Sequence, residues 1–236
     1  MLKSCLSLVA LLLFSFFVSA QKFEWESEVL LQSRYIWRGE MLGNAPAIEP
    51  SVTFTSGKFS FNVWGMLTTN NSYSEFDLVP SYQFNLFKVS LLDYYIPEKG
   101  ESNQYLNFQK EKNRHSLEMN IDNYSIDEQR LKWMVGTFFS GDKNEETNKP
   151  FYSTYIEFKY PFTIFKINAE PSVGITPFKG MYANKFAFVN TAISFSKEFE
   201  LSSRLSIPIT ASYTYNPYQD KQFVSGSTGL IFSSGK

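Results

Sequence analysis

From Phe23 to Trp37 the chain reads FEWESEVLLQSRYIW, and its side chains sort by parity. Phe23, Trp25, Val29, Leu31, Tyr35 and Trp37 fall on one face, and Glu24, Glu26, Glu28, Gln32 and Arg34 on the other. Two is the period of a strand, so the stretch predicts a β-strand with an apolar, aromatic-ended face and a charged face. At a rise of about 3.3 Å per residue and a tilt of about 40°, ten residues cover roughly the 25 Å apolar band of a membrane β-barrel. Aromatic residues near both ends suit the two interfaces of a membrane.

The same rhythm continues. Ile48, Val52 and Phe54 alternate with Glu49, Ser51 and Thr53; after a tight Ser56-Gly57-Lys58 turn, Phe59, Phe61, Val63 and Leu67 alternate with Ser60, Asn62 and Trp64. Phe76, Leu78, Tyr82 and Phe84 follow, and then Phe87, Val89 and Leu91 lead to Asp93-Tyr94-Tyr95. Further strands are expected over 115–125, 130–139, 151–160, 163–174, 184–196, 203–214 and 222–233, about twelve in all. Short connections are expected near 56–58, 85, 127–129, 161–162 and 197–202, and longer polar ones at 39–46, 69–74, 97–114, 140–150, 175–183 and 215–221. Short turns at one rim and long loops at the other predict an all-β, antiparallel transmembrane barrel. After residue 20 no stretch approaches 18 consecutive apolar residues, so a spanning structure here must be made of strands.

Residues 1–20 have the form of a cleaved export signal. Lys3 is followed by the apolar run Leu6 to Phe17 and by Val18-Ser19-Ala20 before Gln21. Residues 21–236 are then the outer-membrane barrel. Cys5, the chain's one cysteine, would leave with the signal, removing disulfides and cysteine chemistry from consideration. Loss of Lys3 takes the basic count from 22 to 21 against 23 acidic residues, which gives no basic excess for nucleic acid. The chain's 24 Phe, 14 Tyr and 4 Trp exceed what a soluble core of this size accommodates, whereas a lipid-facing wall has room for them.

Pro50, Pro80, Pro171 and Pro208 fall inside expected strands, where each removes a ladder hydrogen bond and predicts a bulge. The sequence ends in Ser-Gly-Lys rather than in an aromatic residue, with Phe232 shortly before. Two soluble architectures share the alternation. A lipocalin-type barrel would reverse the faces, and a sugar-binding β-sandwich would cluster its aromatics on loops or on one face.

Ser33-Arg34-Tyr35-Ile36-Trp37-Arg38-Gly39, Pro46-Ala47-Ile48-Glu49-Pro50-Ser51 and Trp64-Gly65 resemble the opening of the TorF-like porin family of Gram-negative outer membranes. Asp93-Tyr94-Tyr95, Gly141-Asp142, Tyr152 to Glu157, Ser196-Lys197-Glu198 and Asn216-Pro217 are similar to later marks of such chains. The resemblance implies an outer-membrane barrel with a porin role.

The alternation directs Glu24, Glu26, Glu28, Arg34, Glu49, Glu75, Asp77, Lys88, Glu118, Asp122, Lys132, Glu157, Lys159, Lys166, Glu170 and Arg204 to the lumen. Toward lipid a Lys or Arg would cost about 2–4 kcal/mol near the midplane. A polar pore with mild cation preference is one outcome; a lumen plugged by mutually paired charges is the other. Arg38 joins Arg34 and Glu49 near the outer rim, where a basic constriction competes with a simple Arg34–Glu49 cross-strand pair, and the pair is favoured. Trp25, Tyr35, Trp37, Phe84, Tyr95 and Tyr160 are the expected interface aromatics.

His115, the one histidine, is expected on the outer wall. A lipid hydrolase would use it with a serine, but Ser116 faces the other way, which leaves no catalytic assignment. No metal site or cofactor is expected: the usual ligand sets and nucleotide-binding loops are missing, and Asp142, Glu145 and Glu146 read as a solvated loop. The expected partners are outer-membrane lipid and lipopolysaccharide, and small polar solutes or ions. The expected function is passive passage of such solutes. A lipid-modifying hydrolase and a structural or adhesion barrel acting through loops such as 97–114 are the alternatives.

Overall fold

A computed structural model describes residues 22–100, 104–109, 113–127, 130–144, 147 and 149–234. The expected export segment 1–20, and Lys112, Glu145 and Glu146, lie outside the described residues. The strands are β1 (Phe23–Gln32), β2 (Tyr35–Trp37), β3 (Glu40–Gly43), β4 (Ala47–Ser56), β5 (Phe59–Thr68), β6 (Ser74–Gln83), β7 (Lys88–Tyr95) and β8 (His115–Asp122). They continue with β9 (Lys132–Ser140), β10 (Thr154–Lys159), β11 (Phe162–Ile164), β12 (Ile167–Thr176), β13 (Ala187–Ser202), β14 (Leu205–Asn216) and β15 (Lys221–Ser233).

Twelve of these close a ring of antiparallel pairs. The order runs from β1 to β4 and stepwise to β10, then to β12 through β15 and back to β1. Closure leaves no sheet edge, so every wall strand has a neighbour on both sides. At the seam Leu30 stands opposite Gly229, where a Cβ would lie 2.0 Å from the Val29 carbonyl oxygen; only glycine allows the strands this close. β11 extends β10 beyond Pro161 and pairs with β12. Its turn, Phe165-Lys166, has φ of 49° and 62°, the doubly left-handed geometry of a two-residue hairpin.

Register fixes the two faces. Glu24, Glu26 and Glu28 stand opposite Thr55, Thr53 and Ser51, all turned inward, while Trp25 and Leu31 stand opposite Phe54 and Ile48 on the outside. Trp25, Val29, Leu31, Ile48 and Phe54 are each about two-fifths or more exposed, the reverse of a soluble barrel. Connections 33–46, 69–73, 96–114, 141–153, 177–186 and 217–220 lie at one rim. Shorter ones, such as 57–58, 84–87 and 203–204, lie at the other.

Three expectations need correction. The first strand ends at Gln32, and Tyr35 to Gly43 form a separate two-stranded sheet, β2–β3, that takes no part in the wall. β13 continues through the expected 197–202 turn to Ser202. The prolines do not mark bulges. Around Pro50 in the β4–β5 ladder, Pro80 in β6–β7 and Pro208 in β14–β15, pairing lapses and resumes in the same register. Shifts fall instead at Leu117/Glu118, Gly174/Ile175 and Glu200/Ser202. A missing donor removes one bond without adding a residue, so register is kept.

Candidate functional site

The packed core lies inside the barrel, toward the long-loop rim. Tyr94, Met134, Phe138, Tyr155, Tyr182, Ala183, Ala187 and Val189 are buried there, with Trp37 of the β2–β3 hairpin packed against them. The hairpin is therefore folded into the lumen. Its turn is Arg38-Gly39, with φ of 49° and 83° and Trp37 paired to Glu40. Gly39 touches the wall: a Cβ there would sit 2.0 Å from the Val189 carbonyl oxygen. Asn216 donates to the Gly39 carbonyl at 3.2 Å, and Gln219 donates to Glu40 at 3.0 Å.

A left-handed conformation at Arg38 is unfavourable by about 1–2 kcal/mol, and its side chain meets a site that offsets this. The guanidinium grips Glu118 with both nitrogens, Nη1 to Oε1 at 2.6 Å and Nη2 to Oε2 at 2.9 Å. Nη1 also donates to the Tyr182 hydroxyl at 2.5 Å, and Tyr94 donates to Glu118 Oε2 at 2.7 Å. The ion pair is 6% and 0% exposed at the two side chains, which makes it a buried bidentate pair. The Arg38 carbon Cζ lies 4.5 Å from the Trp37 ring centre and 4.8 Å from that of Tyr155. Gly136 leaves the room: a Cβ would stand 2.4 Å from Glu118 Oε1 and 3.0 Å from Arg38 Nη2. Burial pushes the Tyr182 hydroxyl above its ordinary pKa, so it remains a protonated acceptor for Arg38. Burial likewise raises Glu40, against the opposing effects of Lys221 and the Gln219 bond.

The remaining lumen charges divide into two sides. Around β7–β12, Lys88 pairs with Asp122 at 3.7 Å, and Lys159 with Glu157 at 3.4 Å and Glu170 at 3.2 Å. Tyr124 and Tyr155 donate to Glu157, and Lys132 donates to the Ile126 carbonyl. On β1, β4 and β6 the inward Glu28, Glu49, Glu75 and Asp77 have no ion-pair partner among the described residues. Glu75 accepts from Tyr73 at 2.9 Å, but Glu49 Oε1 and Asp77 Oδ1 are buried without a protein hydrogen-bond partner. Glu24 and Glu26 line an open cavity of about 520 Å³ at the short-turn rim, with Lys22, Thr53, Thr55 and Ser233.

Several residues sit elsewhere than expected. Tyr35 and Trp37 are not interface aromatics: Tyr35 packs on Trp64 and Tyr73, and Trp37 on Tyr94, Phe138 and Tyr182. Arg38 is at neither a basic rim nor a free constriction. The Arg34–Glu49 pair does not form, because the wall strand ends before Arg34 and Glu49 faces Leu30. Lys166 and Arg204 occupy short-rim turns rather than the lumen. Trp25, Phe84 and Tyr160 are exposed, at 40%, 42% and 46%, whereas Tyr95 is covered. Tyr94, Tyr155, Tyr182 and Gly136 complete the Arg38 site and carry no local sequence signal, whereas Gly39 belongs to a turn pair that the sequence could have offered.

His115 is outward by parity, opposite Tyr95, while Ser116 pairs with the inward Tyr94. Its Nδ1 lies 2.7 Å from Asp93 Oδ1 and its Nε2 2.7 Å from the Tyr105 carbonyl. A carbonyl only accepts, so Nε2 carries a proton and both ring nitrogens are engaged in a clamp.

No protein-family model matches the sequence, and the comparison with curated proteins gives no match. Among solved structures the chain is similar to the NanC porin, with 10% identity over 87% of this chain and 98% of that one, at a TM-score of 0.45. It is also similar to an outer membrane channel from Pseudomonas putida F1, with 8% identity over 90% and 95% of the two chains, at 0.42. A Rhodopseudomonas blastica porin triple mutant shares 7% identity over 79% of this chain and 55% of its own length, at 0.34. The likeness is one of barrel shape.

Proposed function

We propose that this chain is an outer-membrane β-barrel acting as a porin-like passive channel for small polar solutes or ions, favouring cations, with the β2–β3 hairpin as its constriction. The unneutralised acidic side of the lumen carries this reading. A buried carboxylate without a partner costs several kcal/mol; Glu49 and Asp77 each carry such an oxygen, and Glu28 and Glu75 share their stretch of wall with no ion-pair partner among the described residues. Water and passing cations are the partners that such a lining calls for. Twelve strands lie between the side-chain-filled eight-stranded barrel and the sixteen-stranded aqueous pore. The TorF-like resemblance and the expected export signal accord with this reading. The clamp on His115 favours a non-enzymatic role, since a general base needs a free ring nitrogen. A second reading, a plugged structural barrel, is favoured by the buried Arg38–Glu118 pair.

Single-channel conductance of the refolded protein in a planar bilayer separates the two readings. Small discrete steps and a cation-selective reversal potential are expected. The preference should shrink when Glu28→Gln, Glu49→Gln, Glu75→Gln and Asp77→Asn are combined. The gradient is best set near 0.1 M salt, because at 1 M the screening length falls to about 3 Å and masks the lining. A silent bilayer, with folding confirmed by heat-modifiable gel migration, would overturn the channel and leave the plugged barrel.

A further inference from the structure

We infer that segment 104–109, within a connection that would otherwise be taken as a solvent-exposed loop, is a lipid-contacting lobe. It lies against the outer wall, and its apolar tip belongs in the adjacent membrane leaflet. This rests on the membrane-barrel reading above.

The segment is fastened to the outside. The Tyr105 ring contacts three outward-facing wall residues, with ring centres 5.5 Å from Phe76, 5.1 Å from Tyr95 and 4.9 Å from His115. Phe76 pairs with Tyr95, and Tyr95 with His115, so the three form one row across β6, β7 and β8. The backbone is tied to the same row: the Gln104 amide donates to the Tyr95 hydroxyl at 2.8 Å, and His115 Nε2 donates to the Tyr105 carbonyl at 2.7 Å. The Tyr105 hydroxyl bonds Asp93, which also holds His115 Nδ1. These bonds satisfy polar groups that lipid could not, as anything placed on the outside of a membrane wall requires.

So fixed, the segment points Leu106 away from the barrel, while Phe108 stacks one face on the His115 ring, with centres 5.1 Å apart, and leaves the other uncovered. Leu106 is 81% exposed and Phe108 65%. Facing water, each would forgo much of the about 1.5–3 kcal/mol that burial of such a side chain provides. The row beneath them continues down the wall through Leu91 and Met119, themselves 43% and 47% exposed and cross-strand neighbours. The lobe thus continues the wall's apolar surface, and lipid acyl chains are the occupant that covers both. On the rimward side Arg114 pairs with Glu98 at 2.7 Å, which suits the polar boundary of a leaflet.

The test uses the full chain with Cys5→Ser, refolded into phosphatidylcholine vesicles. Single Leu106→Cys and Phe108→Cys variants carry a fluorescent label challenged with brominated lipid and with aqueous iodide. Val29→Cys on the wall and Asn71→Cys on a rim loop are the references. Labels at 106 and 108 should lose most of their emission to brominated lipid, as at 29, and be shielded from iodide. Adding His115→Ala, which removes the bond to the Tyr105 carbonyl and the ring contacts with Tyr105 and Phe108, should move the label toward iodide access. Iodide quenching at 106 and 108 equal to that at 71 overturns the lobe. Protection from both quenchers indicates a protein contact, such as a second copy, and also overturns it. A label at 29 that brominated lipid fails to quench would instead overturn the membrane-barrel reading itself.

Discussion

Excising residues 33–46 and joining Gln32 to Ala47 through an Asn-Gly turn should raise single-channel conductance several-fold. The register makes the deletion clean, because Gln32 and Ala47 already stand opposite each other at the end of the β1–β4 ladder. A two-residue left-handed turn is the favoured connection for such a pair. All twelve wall strands survive. What leaves is the material that fills the lumen: Tyr35, Trp37 and the Arg38 grip on Glu118. Glu118 then faces a hydrated channel rather than a dry interior and is less penalised than when its partner alone is removed. Unchanged conductance in a variant that still shows heat-modifiable migration would show that the hairpin is not the constriction.

The second large effect concerns stability. Arg38→Met should destabilise the barrel by about 3–5 kcal/mol, because it strands a buried carboxylate. Glu118→Leu should cost a similar amount by stranding the guanidinium. The double variant should lose much less than the sum, because it buries no unpaired charge. Urea unfolding in detergent measures all three. Additive losses, or single-variant losses below about 1 kcal/mol, would mean that the pair is solvated and does not hold the hairpin.

The wall was legible because its rule is local. Parity alone separates Glu24 from Trp25 and Glu28 from Val29, and the twelve-strand ring follows from repeating it. The same rule misplaced Tyr35 and Trp37. They keep the parity of Phe23 and Trp25 although the chain has left the wall at Ser33, and a hairpin strand obeys the same period. What draws them inward is remote: Glu118 lies 80 positions from Arg38, and Tyr182 lies 144. One signal was available nearby. Arg38-Gly39 between short apolar-polar runs is the kind of pair that turns a two-residue hairpin. The division of the lumen into paired and unpaired sides was not legible, because Lys88 meets Asp122, and Lys159 meets Glu170, only across strand pairs that register brings together.

The hairpin also fixes a sequence of events. It follows directly on the first wall strand, yet what it grips arrives later in the chain: Glu118 on β8, Gly136 on β9, Tyr155 on β10 and Val189 on β13. Loop closures of this span are slow because chain entropy is lost before contacts compensate. The segment that follows the first wall strand therefore waits longest for its resting place, and its docking completes the barrel rather than templating it. Trp37 burial should accompany or follow pairing of β13, and burial that precedes it would contradict this order. Until then the nascent barrel carries a loose basic-aromatic arm at its rim, and the arm's final docking would reduce an initially wider passage.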